Sequence, residues 1–136
     1  MLEDLDHVVI HIDDWADAHH FYLEVLGMSR VENPEAAGNP LDACSYRIGT
    51  QQINVHGPWP GNEGRCCPPP LNEIGRADLA FGTTMTSDEV IERLLKHGVA
   101  IVAGPFQRFG ARGLGTSVYC HDPSGNSIEV ISYTAE

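Results

Sequence analysis

Hydrophobic and polar positions along this chain switch between two periods. In LDHVVIHI (residues 5–12), Val8, Ile10 and Ile12 fall on one side of an extended segment and His7, Val9 and His11 on the other, the two-residue period of a strand. DDWADAHHFYLEVLG then changes period: Trp15, Ala18, Tyr22, Val25 and Leu26 recur at helical spacing. Asp13 or Asp14 can cap the start of that helix, and Gly27 can supply a left-handed residue at its end. MSRVE, DACSYRIG and QQINVHG follow as strands, the last two separated by a turn at Gly49-Thr50.

The second half repeats this order. RADLAFGT reads as a strand, and TSDEVIERLLKHG as a helix with Thr86 and Glu89 as a capping box and Val90, Ile91, Leu94 and Leu95 as its apolar face. VAIVAGPFQ, GTSVYCHD and NSIEVISY read as three more strands, the last two joined by the turn DPSG. The helix-ending glycines, Gly27 and Gly98, lie 71 residues apart. Between the halves, GPWPGNEGRCCPPPLNEIG is too rich in Pro and Gly for regular structure. The expectation is one α+β domain over residues 1–136, built of modules 5–56 and 77–133 with a linker at 57–76.

Four polar residues fall on this repeat. His7 lies in the first strand of the first module, and Asp78, 71 residues later, in the first strand of the second. His56 ends the last strand of the first module, and Glu129, 73 residues later, lies in the last strand of the second. The separations within the modules, 49 and 51, are nearly equal. Alternation turns Ile53 and Val55 away from His56, Leu79 and Phe81 away from Asp78, and Ile128 and Val130 away from Glu129. Helices can cover the apolar sides, leaving the polar set on a concave interior. An ionised carboxylate there is costly unless paired or metal-bound.

Composition narrows the function classes. A net charge of -11 with only eight Lys and Arg argues against nucleic acid and anionic membranes as partners. No apolar run reaches the ~20 residues of a membrane span, and MLEDLDH lacks the basic and apolar regions of a signal peptide, so a cytoplasmic protein is expected. Cys44, Cys66, Cys67 and Cys120 are expected to be free, with structural or incidental roles.

LDHVVIHIDDWADAHHFYLEVLGM and SVYCHDPSGNSIEVISY resemble the vicinal oxygen chelate superfamily of glyoxalases, extradiol dioxygenases, fosfomycin-resistance and bleomycin-binding proteins. INVH, ADLAF and GPFQRFGARG are most similar to segments of short glyoxalase-domain proteins. The resemblance covers nearly the whole chain outside residues 57–75. It implies two βαβββ modules forming a cupped mixed sheet around one divalent ion, with His7, His56, Asp78 and Glu129 as ligands. Asp78 departs from the His found at its position in extradiol dioxygenases, and would either bind the ion directly or hold a ligand or water beside it; Val9 stands where fosfomycin transferases carry threonine.

The activity implied is that of a metal-dependent lyase or isomerase, chelating two neighbouring oxygens of a small substrate and stabilising an enediolate or other oxyanion. Glu129 or Asp78 would shuttle the proton, and the ion would be nickel, zinc, manganese, cobalt or iron. The alternatives are an Fe(II) dioxygenase on His7, His56 and Glu129, and a metal-free drug-binding protein. His11 lies four residues, ~13 Å at strand rise, from His7, too far for the same ion. It is therefore a substrate candidate, together with Trp59 just past His56 and with Arg108 and Arg112 in a glycine-rich loop, RFGARG, that can clamp an anion. Tyr46 and Tyr119 are further lining candidates. A homodimer is expected by resemblance and from the exposed sheet edge.

Overall fold

The computed structural model describes residues 1, 3–32, 38, 42–58, 74, 75 and 77–135. Trp59, Cys66 and Cys67 lie outside them. The chain divides into two units, Met1–Arg76 and Ala77–Glu136, and each runs strand, helix, three strands.

In the first unit these are β1 (His7–His11), α1 (Trp15–His19) with a π-helical continuation (His20–Val25), β2 (Ser29–Val31), β3 (Ser45–Ile48) and β4 (Gln51–His56). The sheet order is β1-β4-β3-β2, with β1 parallel to β4 and the other pairs antiparallel. Asp14 starts the helix, its Oδ1 accepting from the Asp17 N–H at 2.8 Å. The helix widens after His19, so the adjacent Phe21 and Tyr22 both enter the core, their rings edge to face at 5.1 Å. Ile10, Ile12, Trp15, Tyr22, Val25, Ile53 and Val55 form that core with Tyr46, which stacks on Tyr22 at 4.9 Å. Tyr46 therefore belongs to the helix-covered side of the sheet, not to the opposite face. Its hydroxyl donates to His19 Nδ1 at 2.9 Å while His19 Nε2 donates to the Asp42 carbonyl.

The second unit holds β5 (Asp78–Thr83), α2 (Ser87–Lys96), β6 (Ala103–Gly110), β7 (Gly113–His121) and β8 (Ser127–Ser132) in the order β5-β8-β7-β6. Here β5 is parallel to β8. The capping box at Thr86 and Glu89 is present, and Val90 and Leu94 are buried with Val118, Cys120, Ile128 and Val130. The turn into β8 is built on buried Asp122, whose Oδ1 accepts from the Ser124 and Asn126 N–H groups and whose Oδ2 accepts from Asn126 Nδ2. Asn126 then accepts the Ala77 N–H at 2.9 Å, and the Ser127 N–H donates to the Ala77 carbonyl. These bonds lock the residue before Asp78 to the start of β8.

Two expectations shift. The sixth strand opens at Ala103 rather than at Val99, and RFGARG is not a loop. Arg108 lies on β6 and Arg112 in the two-residue turn between Gly110 and Gly113. A tight hairpin satisfies the backbone of both strands where an open loop would leave it to water, and Gly113 supplies the positive φ of 105° at the exit of the turn.

Candidate functional site

The parallel registers decide which polar residues are neighbours. In the first unit, His7 pairs with Gln52, Val9 with Asn54 and His11 with His56. In the second, Asp78 pairs with Ser127, Ala80 with Glu129 and Gly82 with Ile131. His7 and Asp78 are thus true counterparts. Two residues along the partner strand, however, the counterpart of Glu129 is Asn54, and His56 corresponds to Ile131. Chain spacing had matched His56 with Glu129. It failed because the second unit spends four more residues between its paired strands, which nearly compensates for the two-residue difference in row.

His7 and His56 are therefore not brought together within the first unit. They lie four rows apart on the β1–β4 pair, ~13 Å at the rise of a parallel strand. The distance that separates His11 from His7 separates His56 from it as well. His56 instead meets His11, ring centroids 5.2 Å apart and edge to face. Asn54, in the row nearer His7, has its carbonyl oxygen occupied by the Ser45 hydroxyl at 3.1 Å and the Gln52 amide at 2.8 Å.

His7 itself is exposed, and its Nδ1 donates to Asp6 Oδ1 at 2.7 Å. A carboxylate on Nδ1 fixes the tautomer and leaves Nε2 as the lone-pair donor, the usual second partner of a metal-binding imidazole. Sequence reasoning passed over Asp6, although it immediately precedes His7.

In the second unit, pairing places Asp78, Ala80 and Gly82 of β5 on the same face as Ser127, Glu129 and Ile131 of β8. Tyr119 pairs with Glu129 and Ser117 with Ile131, so both join that face from β7. Ser117, fully buried, donates its hydroxyl to Glu129 Oε2 at 2.6 Å. Among the described residues Glu129 has no cationic partner, and its second oxygen has no protein donor. Alternation alone could have put Ser117 beside Glu129, but only after the β7–β8 register was known. Arg108 reaches the same face: its Nε donates to the Tyr119 hydroxyl at 3.2 Å, and its guanidinium lies 4.8 Å from the centre of the Phe106 ring.

The donor chemistry suits a hard or borderline divalent ion in part of the expected set. His7 offers a carboxylate-oriented imidazole, and Glu129 and Asp78 offer carboxylate oxygens on one sheet face. His56 does not fit beside His7, for the reason of register given above. Among the described residues, no group of three or more His, Cys, Asp or Glu side chains is gathered for an ion. Cys44 and Cys120 are buried free thiols pushed up to about 11 by burial, a state unsuited to a thiolate ligand.

Fold and sequence together define the class. Residues 4–130 match the model of the Glyoxalase/Bleomycin resistance protein/Dioxygenase superfamily, and the chain belongs to that family. It is 34% identical over 133 residues to virulence protein STM3117 of Salmonella typhimurium, covering 98% of this chain and 86% of that one. It is 35% identical over 129 residues to a glyoxalase domain-containing protein of Mycosarcoma maydis, covering 95% and 68%. An integron cassette protein from the mobile metagenome of V. cholerae superposes with a TM-score of 0.81 at 36% identity, covering 98% of both chains.

Proposed function

We propose that this protein is a divalent-metal-dependent enzyme of the glyoxalase type, a lyase or isomerase acting on a small oxygenated molecule. The observation that carries the reading is the Ser117–Glu129 bond of 2.6 Å. It holds one oxygen of a carboxylate that no cation neutralises among the described residues, and leaves the other for a proton or an ion. The ligand set that the family resemblance implies includes His7, Asp78 and Glu129, and Asp6 would orient His7. When bound, the ion supplies Lewis-acid stabilisation of negative charge developing on substrate oxygen. Glu129, steadied by Ser117, or Asp78 takes a proton from the substrate and returns it. Trp59, His11 and His56 are further substrate candidates.

The dioxygenase alternative needs His7 and His56 on the same iron as Glu129, and the four-row offset between the two imidazoles weighs against it. The drug-binding alternative needs no ion, so metal content separates it from the leading reading. We further propose a homodimer: β6 is an edge strand, and near its tip Phe109 and Leu114 pair across the hairpin while 84% and 64% exposed. A cytoplasmic site of action suits the free Cys44 and Cys120. No helix among the described residues is long and apolar enough to cross a membrane.

The test is metal analysis and activity of purified wild type, Glu129→Gln and His7→Ala. Loss of stoichiometric metal in both variants with circular dichroism unchanged supports the assignment. Full retention in both, or a wild type that takes up no divalent ion, overturns it.

A further inference from the structure

Five residues of the second unit form an arrangement that metal binding does not use. An ideal Cβ on Gly82 would lie 2.5 Å from an Nη2 of Arg112. Gly82 shares its face with Asp78 and Ala80, so the guanidinium of Arg112 occupies the place of a side chain on the Glu129 face. The same guanidinium lies 4.6 Å from the centre of the Tyr133 ring. The Tyr133 hydroxyl accepts the Arg112 N–H at 3.3 Å, and it fills the space that a Cβ on Gly110 would need. Two missing side chains and one ring thus position a single cation. Arg108 reaches the same face from β6, pinned by Tyr119, the pairing partner of Glu129, and by its bond to the Gln107 carbonyl.

Neither guanidinium makes an ion pair among the described residues, in a chain of net charge -11. Arg30, by contrast, spends its donors on Glu32 and Asp42. Arginine offers a planar fork of donors matched to a carboxylate or phosphoryl oxygen pair, and stacking on a ring removes much of the entropy lost on pairing. A cation held this way, on the face of the candidate general base, is a receptor for the anionic end of a ligand.

We propose that Arg112, seated against Gly82 and Tyr133 and assisted by Arg108, binds an oxyanion of the substrate, which is therefore an oxygenated carboxylate, phosphonate or phosphate ester rather than a neutral molecule. This deepens the proposed function by naming the substrate class, and the binding itself needs neither the ion nor turnover. Glu129 lies in the row of Ala80, one alternation from Gly82, so the anionic group and the reacting carbon are separated by only a few bonds.

The test titrates the full chain, stripped of metal with a chelator, with butyrate, propylphosphonate and neutral butyramide, following Arg Nε–H resonances by NMR. The expected result is saturable binding of one or both anions, with the preferred one naming the source, a shift at Arg112, and no binding of butyramide. Arg112→Gln should weaken the anion about tenfold or more. Gly82→Ala should do so without any change in net charge, and Lys96→Gln, on α2, should leave it unchanged. If Gly82→Ala does not fold, Tyr133→Leu replaces it as the charge-neutral variant. Equal weakening by Arg112→Gln and Lys96→Gln would reduce the effect to net charge and overturn the proposal, as would equal binding of butyramide or normal affinity in the charge-neutral variant. Because metal content is measured separately, a positive anion result with a metal-free wild type sinks the proposed function and leaves this inference standing. The reverse pattern does the opposite.

Discussion

Asn126→Ala removes the residue that ties the entry of β5 to the turn before β8. Asn126 has no exposed surface, and two of its side-chain bonds are lost: the Ala77 N–H to its Oδ1 at 2.9 Å, and its Nδ2 to Asp122 Oδ2 at 2.8 Å. A neutral bond contributes about 1 kcal/mol and a bond to a charged carboxylate about 1.5–3 kcal/mol, with more cost where the abandoned partner stays buried. Asp122, 4% exposed, keeps its two backbone donors. The expected loss is therefore about 3 kcal/mol. Urea unfolding followed by far-ultraviolet circular dichroism should show it as a midpoint about 1–2 M lower, for a slope of about 2 kcal/mol/M. His20→Ala is the control, since the exposed His20–Glu24 pair at 2.9 Å is worth about 0.3–0.5 kcal/mol. A midpoint for Asn126→Ala indistinguishable from that control would refute the claim that this network holds β5 in register. The position of Asp78 relative to Glu129 would then need another cause.

Asp6→Asn should lower divalent-ion affinity about 10–100-fold by chelator competition while leaving thermal stability unchanged, since Asp6 is exposed; unaltered affinity would remove its orienting role. Cys44 and Cys120 should react slowly with a thiol reagent at mildly alkaline pH when native and rapidly when unfolded, as burial raises both to about 11; peptide mapping by mass spectrometry reads each site. Their folded values lie above the ordinary 9.0, so the neutral thiols contribute stability that is whole below that pH and is lost as pH rises through about 11. Midpoints that stay constant across that window would contradict this. Tyr46→Phe should cost about 1 kcal/mol, or roughly 3–4 °C in melting temperature, by taking the donor from His19 Nδ1; no shift would mean that bond is idle.

Much of the architecture was written in local pattern. Period-two and helical runs, the Thr86–Glu89 capping box and the Asp14 cap are properties of adjacent residues, and they placed both βαβββ units and put His7, Asp78 and Glu129 on strands. Register was not local. Equal spacing of His7 to His56 and of Asp78 to Glu129 counted residues in the connections, whereas neighbours in a sheet are counted in rows, and the rows put His56 beside His11 and Asn54 where Glu129 has its counterpart. The same reason hid Ser117, a bonding partner twelve residues from Glu129 that only the β7–β8 pairing brings to it. It turned Tyr46 into the core and Tyr119 toward Glu129. The glycines of RFGARG read as a loop because glycine permits many backbones. Only the folded hairpin selects one, laying Arg112 over Gly82 and Tyr133. Sequence determined which residues can bind, pair or bury, because that chemistry belongs to each side chain; the tertiary structure decided which of them meet, because strand pairing sets distance across residues the chain itself keeps far apart.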